Sequence, residues 1–101
     1  PASGAFRGQL ATIKAAQDNH DQAAKLISIA KSQLAAIPLA YAKLLCQNCE
    51  VESAAGHNKL AQESLHEAQR IAEELKVLPH SELGQSLELA KALIKTQQAT
   101  C

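Results

Sequence analysis

The sequence predicts an all-α fold of about five helices arranged as antiparallel helical hairpins, and three observations carry that reading. From Gly56 to Leu78 the apolar residues Leu60, Ala61, Leu65, Ala68, Ile71, Ala72, Leu75 and Leu78 recur at steps of three and four, opposite Lys59, Glu63, Glu67, Arg70 and Glu74. No stretch alternates with period two, so no strand is expected. Residues that stop helices, namely Asp18-Asn19, Pro38, Gly56 and Pro79, cut the chain into lengths of one helix each. An ordinary helical bundle is the alternative that meets the same conditions.

Taken in order, the helices are expected at about 5–17, 20–36, 39–55, 58–77 and 81–98, within a single domain spanning residues 1–101. Pro1 to Gly4 reads as a leader with Ser3 as a cap. The first helix then carries Phe6, Leu10, Ile13 and Ala16 or Gln17 on one side. Asn19 followed by Gln22 fits a capping box opening the second helix, whose inward residues are Ala23, Leu26, Ile27, Ala30, Leu34 and Ile37. Pro38 lacks the amide a helix interior needs and pushes Ile37 out of helical dihedrals, so it ends that helix and suits the first turn of the next. The third helix shows Ala42, Leu45, Cys46 and Cys49 at steps of three, one and three, and Gly56 stops it by taking the left-handed conformation. The fourth is capped by His57 or Asn58 and closed by Pro79. Ser81 and Glu82 start the fifth, striped by Leu83, Leu87, Ala90 and Ile94 with Leu89 and Leu93 beside them.

Sliding the chain on itself exposes an internal repeat. Ala23, Ile27 and Ala30 return as Ala61, Leu65 and Ala68, each displaced by 38 residues, as 61 is from 23. Pro38 returns as Pro79, displaced by 41. Two hairpins plus a fifth helix that opens a third account for this spacing.

Those residues resemble the tetratricopeptide repeat family, in which a hairpin turn with glycine precedes small, large and small residues at steps of four and three. Gly56, Ala61, Leu65 and Ala68 match that pattern; Asp18, Ala23, Ile27 and Ala30 match it without the glycine. Cys49 and Ala11 stand where the first helix usually has Gly or Ala. The resemblance covers about Ala5 to Leu78, and departs from the family in lacking aromatics in the first helices and in placing its prolines late. It implies a right-handed superhelix of stacked hairpins, and a partner held against the first helix of each hairpin. Thr12 and Ala15 in one repeat, and Lys43, Cys46, Gln47 and Glu50 in the next, would line that surface. The family's clamp for chaperone carboxylate ends wants Lys and Asn where Gly8 and Thr12 stand, so that subclass is not expected.

Composition narrows the function. Ten basic and ten acidic residues give no net charge, hence no electrostatic footprint for nucleic acid or anionic lipid. Only Phe6 and Tyr41 are aromatic, too few for stacking bases. No apolar run reaches the roughly 20 residues that span a bilayer. With 47% hydrophobic and 20% charged residues the chain is expected to fold as a soluble domain. It begins at Pro1 and contains no Met, which reads as a fragment of a longer protein. Three cysteines and no secretion signal point to the reducing cytoplasm.

No local motif asks for catalysis. A redox Cys-x-x-Cys needs its first thiol at a helix start and a zinc site needs four ligands, whereas Cys46 and Cys49 fall in mid-helix with no second pair. They read first as small packing residues. His20, His57, His66 and His80 sit near turns or on polar faces, and His66-Glu67 lacks the second histidine of a zinc-protease helix. No Gly-rich phosphate loop, nucleophile elbow or paired carboxylates on an apolar face occurs. The expectation is a non-enzymatic protein–protein interaction module without cofactor or metal, binding a peptide or helix of another protein or a segment of its own parent chain. A regulatory or homo-oligomerising domain of a larger signalling or transcription regulator is the alternative.

Overall fold

A computed structural model describes the backbone of residues 2–99 and the side chains of residues 7–95. It contains α1 (Ala2–Ala16), α2 (His20–Leu34), α3 (Pro38–Ala54), α4 (Asn58–Glu74) and α5 (Glu82–Ala99). No strand occurs among the described residues, and the fold is all-α. Ser3 lies inside α1 rather than before its first turn, since the helix already begins at Ala2.

The 38-residue repeat seen in the sequence is also a repeat of backbone geometry. Two residues past the end of α1 stands Asp18 at φ 62°, and two past the end of α3 stands Gly56 at φ 84°. One residue later the Asn19 N–H donates to the Lys14 carbonyl at 2.8 Å, and the His57 N–H donates to the Glu52 carbonyl at 2.8 Å. The next helices open on Asn19 (φ −97°, ψ 68°) and His57 (φ −91°, ψ 67°). Each left-handed residue thus closes one helix by turning orphan carbonyls onto following amides, and three residues suffice to reverse the chain.

The capping box does not form in its usual way. Asn19 has given its amide to Lys14, so the Gln22 side chain has no backbone donor to meet and instead accepts from Asn19 Nδ2 at 2.9 Å. Pro38 does stand at the first turn of α3, with Ile37 extended before it. α2 stops at Leu34, short of the expected 36. The fourth helix stops at Glu74 rather than near 77: Lys76 adopts φ 55°, and the Val77 N–H bonds the Ala72 carbonyl at 3.0 Å. Pro79 therefore sits in the loop and does not close α4. Ser81 stands just before α5 and caps it, its Oγ accepting from the Gly84 N–H at 3.1 Å. Gly84 lets that loop cross close over the helix, since a β-carbon there would collide with the carbonyl oxygens of Leu78 and Pro79.

Packing divides into two cores that share α3. In the first, Ala11 and Ala15 of α1 meet Ala23, Ile27, Ala30 and Leu34 of α2 and Leu44 and Val51 of α3. In the second, Ala42, Leu45, Cys46 and Cys49 of α3 meet Ala61, Leu65, Ala68 and Ala72 of α4 and Leu83, Leu87, Ala90 and Ile94 of α5. Among the described residues α1 and α2 do not pack against α4 or α5. Alanines at 11, 23, 30, 42, 61 and 68 are almost wholly buried, and such short side chains let the helix axes come close. Asn48, Ser53 and Ser64 are buried polar residues, and Asn48 Nδ2 donates to Ser64 Oγ at 2.7 Å.

Several apolar residues expected inward face solvent instead. Ile13 is 52% exposed, because α1 buries Gly8, Ala11 and Ala15, and Ile13 stands about 160° around the helix from Ala11. Phe6 has its side chain outside the described residues, Leu10 is half-buried, and Ala16 and Gln17 are exposed. Ile37, Leu60, Leu75 and Leu78 are exposed as well, the last two lying beyond the end of α4. Leu89, at 74%, points away from both neighbours of α5.

Candidate functional site

α1 and α3 lie side by side and leave a groove of about 250 Å³ along their seam, floored by Thr12, Ala15 and Ala16 of α1 and Glu50, Ser53 and Ala54 of α3, with Leu93 of α5 at its far wall. Three of the six residues expected to meet a partner, Thr12, Ala15 and Glu50, come together here. Thr12 and Glu50 are themselves related by the 38-residue repeat, one on each helix. Ala15 is almost completely buried and contributes only the groove's floor. Thr12 Oγ1 donates to the Gln9 carbonyl one turn back at 2.7 Å, which fixes its rotamer.

The other three residues go elsewhere. Lys43 and Gln47 open on a shallow pocket of about 50 Å³ with Gln9, Leu34, Ala40 and Leu44, and Lys43 is held in an ion pair by Glu82 at the start of α5. Cys46 is 4% exposed inside the second core. It faces α4 and α5, so it is a packing residue and not a surface one.

Electrostatics separate these groups. Glu50 is an exposed residue, yet the protein around its carboxyl desolvates it and raises it above the ordinary carboxylate range. None of the ion pairs formed by the described residues includes it. Burial pushes the Cys46 thiol up to about 12, helped by the nearby Cys49 and Glu50 charges. Cys49 rises to about 11 through burial and Glu50, against a hydrogen bond with Ser53 that lowers it. Both thiols are free and stay protonated at neutral pH, the opposite of the thiolate that redox exchange or metal binding requires. Among the described residues no group of His, Cys, Asp and Glu is placed to hold a metal ion. His20 lies 3.8 Å from Asp18 and His57 lies 3.6 Å from Glu52, each pair bracketing one of the hairpin turns.

A second, larger groove escaped the sequence reading. The loops after α2 and α4 come together around Ile37, Leu39, Ala40, Lys43, Val77, Leu78 and Leu83, enclosing about 550 Å³ with Ser81 and Glu82 at the edge. Ile37, Leu39 and Leu78 are 37%, 53% and 60% exposed. Their signal in the sequence was local: large aliphatic residues beside Pro38 and Pro79, at a helix start and in a loop, where no stripe carries them inward.

No helix among the described residues is long and apolar enough to cross a membrane. The chain matches no family model, and neither a curated protein nor a solved structure matches it.

Proposed function

We propose that the chain is a protein–protein interaction module of tetratricopeptide type, which stacks its hairpins as a right-handed superhelix and binds a peptide or helix of a partner, or another segment of its parent chain, in the groove between α1 and α3. The observation that carries this reading is the convergence of Thr12, Ala15 and Glu50 on one groove from two helices related by the repeat. The order of packing supports the stacked arrangement: α1 lies against α3 and α3 against α5, each first helix on the next, with two cores in series instead of one shared by all helices. The module is non-catalytic and needs no cofactor, and its two protonated thiols suit the cytoplasm. With no net charge it has no preference for nucleic acid or membrane surfaces.

Selection from a display library of random dodecapeptides tests the reading. Ala16 and Ala54 are exposed groove residues, so Ala16→Trp and Ala54→Trp fill the groove without entering a core. Selected peptides should lose binding to both variants by calorimetry. Peptides that bind both as well as the original chain would place the binding surface elsewhere.

The loop-side groove favours a second reading, a homo-oligomerising regulatory domain of a larger protein, because exposed aliphatic side chains gathered in one place are the usual mark of an association surface. Light scattering on size-exclusion fractions separates the two. A dimer that Leu78→Asp dissociates supports oligomerisation, and a monomer at all concentrations removes it.

A further inference from the structure

The groove between α1 and α3 has a definite chemical bias. Its walls are mostly methyl groups, from Ala15, Ala16, Ala54 and Leu93. Glu50 is the single charged residue lining it, and no lysine, arginine or histidine of the described chain pairs with that carboxylate. Thr12 has already spent its hydroxyl hydrogen on the Gln9 carbonyl, so toward the groove it presents lone pairs only. Ser53 also lines the groove, but its side chain is buried and hydrogen-bonded with Cys49, which leaves Glu50 and Thr12 offering acceptors and no donor. A volume of about 250 Å³ lies below the roughly 300–1,000 Å³ of small-molecule sites, yet accommodates one long side chain.

We propose that this groove takes a single lysine or arginine side chain from a partner peptide, with Glu50 as its counter-ion and Thr12 Oγ as a second acceptor. The inference rests on the groove being the binding surface. Lysine and arginine carry donors and no acceptor, the complement of what the groove presents. Their aliphatic stems fit alanine and leucine walls while the charged head reaches the carboxylate. Apolar walls also make an ion pair there stronger than one on open surface, since less water screens it. The raised carboxyl of Glu50 agrees with this: folding leaves the group partly desolvated and supplies no internal cation to offset the cost.

The test uses the full 101-residue chain and peptides selected from the random dodecapeptide library. Peptides that Ala54→Trp excludes should share one Lys or Arg. Replacing that residue with Gln, or making Glu50→Gln, should each weaken binding about tenfold or more, the scale of a charge-assisted hydrogen bond. The two changes together should cost little beyond either alone, as a double-mutant cycle reads directly. Glu50→Lys should shift selection toward acidic peptides, and unchanged circular-dichroism melting would show each variant folded. Peptides that Ala54→Trp excludes but that lack a basic residue, or that ignore Glu50→Gln, overturn this inference and leave the groove as the binding surface. Peptides indifferent to Ala54→Trp, or an empty selection, overturn both.

Discussion

The α1–α2 and α3–α4 hairpins share one backbone plan but fill it differently. At the turn, the first uses Asp18 in the left-handed region and the second uses Gly56. On the helix seam, the half-buried Leu10 and Leu26 of the first become the buried, hydrogen-bonded Asn48 and Ser64 of the second, each shifted by the same 38 residues. Gly8 and Ala11 become Cys46 and Cys49. Ala23 and Ala30 stay alanine at 61 and 68. The plan thus demands a left-handed turn residue and small side chains where axes approach, and tolerates apolar or polar pairing elsewhere.

The largest test of that comparison uses α3, whose adjacent Leu44 and Leu45 enter different cores. Each is almost fully buried, so Leu44→Ala and Leu45→Ala should each cost about 2–5 kcal/mol in denaturant unfolding. Hydrogen exchange should tell them apart: faster exchange in α1 and α2 for the first, and in α4 and α5 for the second. Uniform loss of protection from both would mean that the two cores behave as one.

Polar filling of the second seam gives the next effect. Asn48→Ala strands Ser64 Oγ in the interior and should cost about 1–3 kcal/mol. Asn48→Leu with Ser64→Ala removes both polar partners, as the first hairpin does, and should be the more stable of the two variants by chemical denaturation. If the double variant is the worse one, the pair does more than satisfy itself.

Exchanging the turn residues should move stability by about 1 kcal/mol in opposite directions, read as thermal midpoint. Asp18→Gly relieves a side chain held at positive φ, while Gly56→Asp introduces one, although nothing crowds its β-carbon.

The last effect appears only at alkaline pH. Thiols ordinarily titrate near 9.0, but in the folded chain Cys49 is raised to about 11 and Cys46 to about 12. The folded state then holds protons that the unfolded state gives up, so stability is complete below about pH 9 and falls as pH rises from there through the folded values. Cys49→Ala, which copies Ala11, should flatten part of that fall in thermal melts recorded across this range. The first hairpin has no cysteine and contributes none of it.

Much of this architecture was legible in the sequence because it depends on local chemistry. Pro38, Gly56 and Ser81 act within a residue or two of where they stand, and the repeat of alanines survives translation by 38 because helix packing needs small residues at fixed steps. What was hidden depends on neighbours. The stripe through Ile13 was a true period, but only the docking of α2 and α3 decides that Ala11 and Ala15 turn inward in its place. α3 is buried on two sides, so one stripe could not show the Asn48–Ser64 pair, and the family resemblance implied a partner surface for Cys46 that the second core buries. Lys76 in the left-handed region carried no compositional sign, which is why Pro79 was credited with ending α4. Of the residues the family resemblance implies for a partner surface, Thr12, Ala15 and Glu50 line one groove, while the loop-side groove needs two distant loops to meet.

Because no helix packs against another more than two places away among the described residues, folding has few long loops to close. Entropy lost before contacts are won is correspondingly small, and helical proteins of such low contact order fold in about microseconds to milliseconds. Either hairpin can nucleate, and α3 then passes order from one core to the other. Structure should spread along this chain from helix to neighbouring helix.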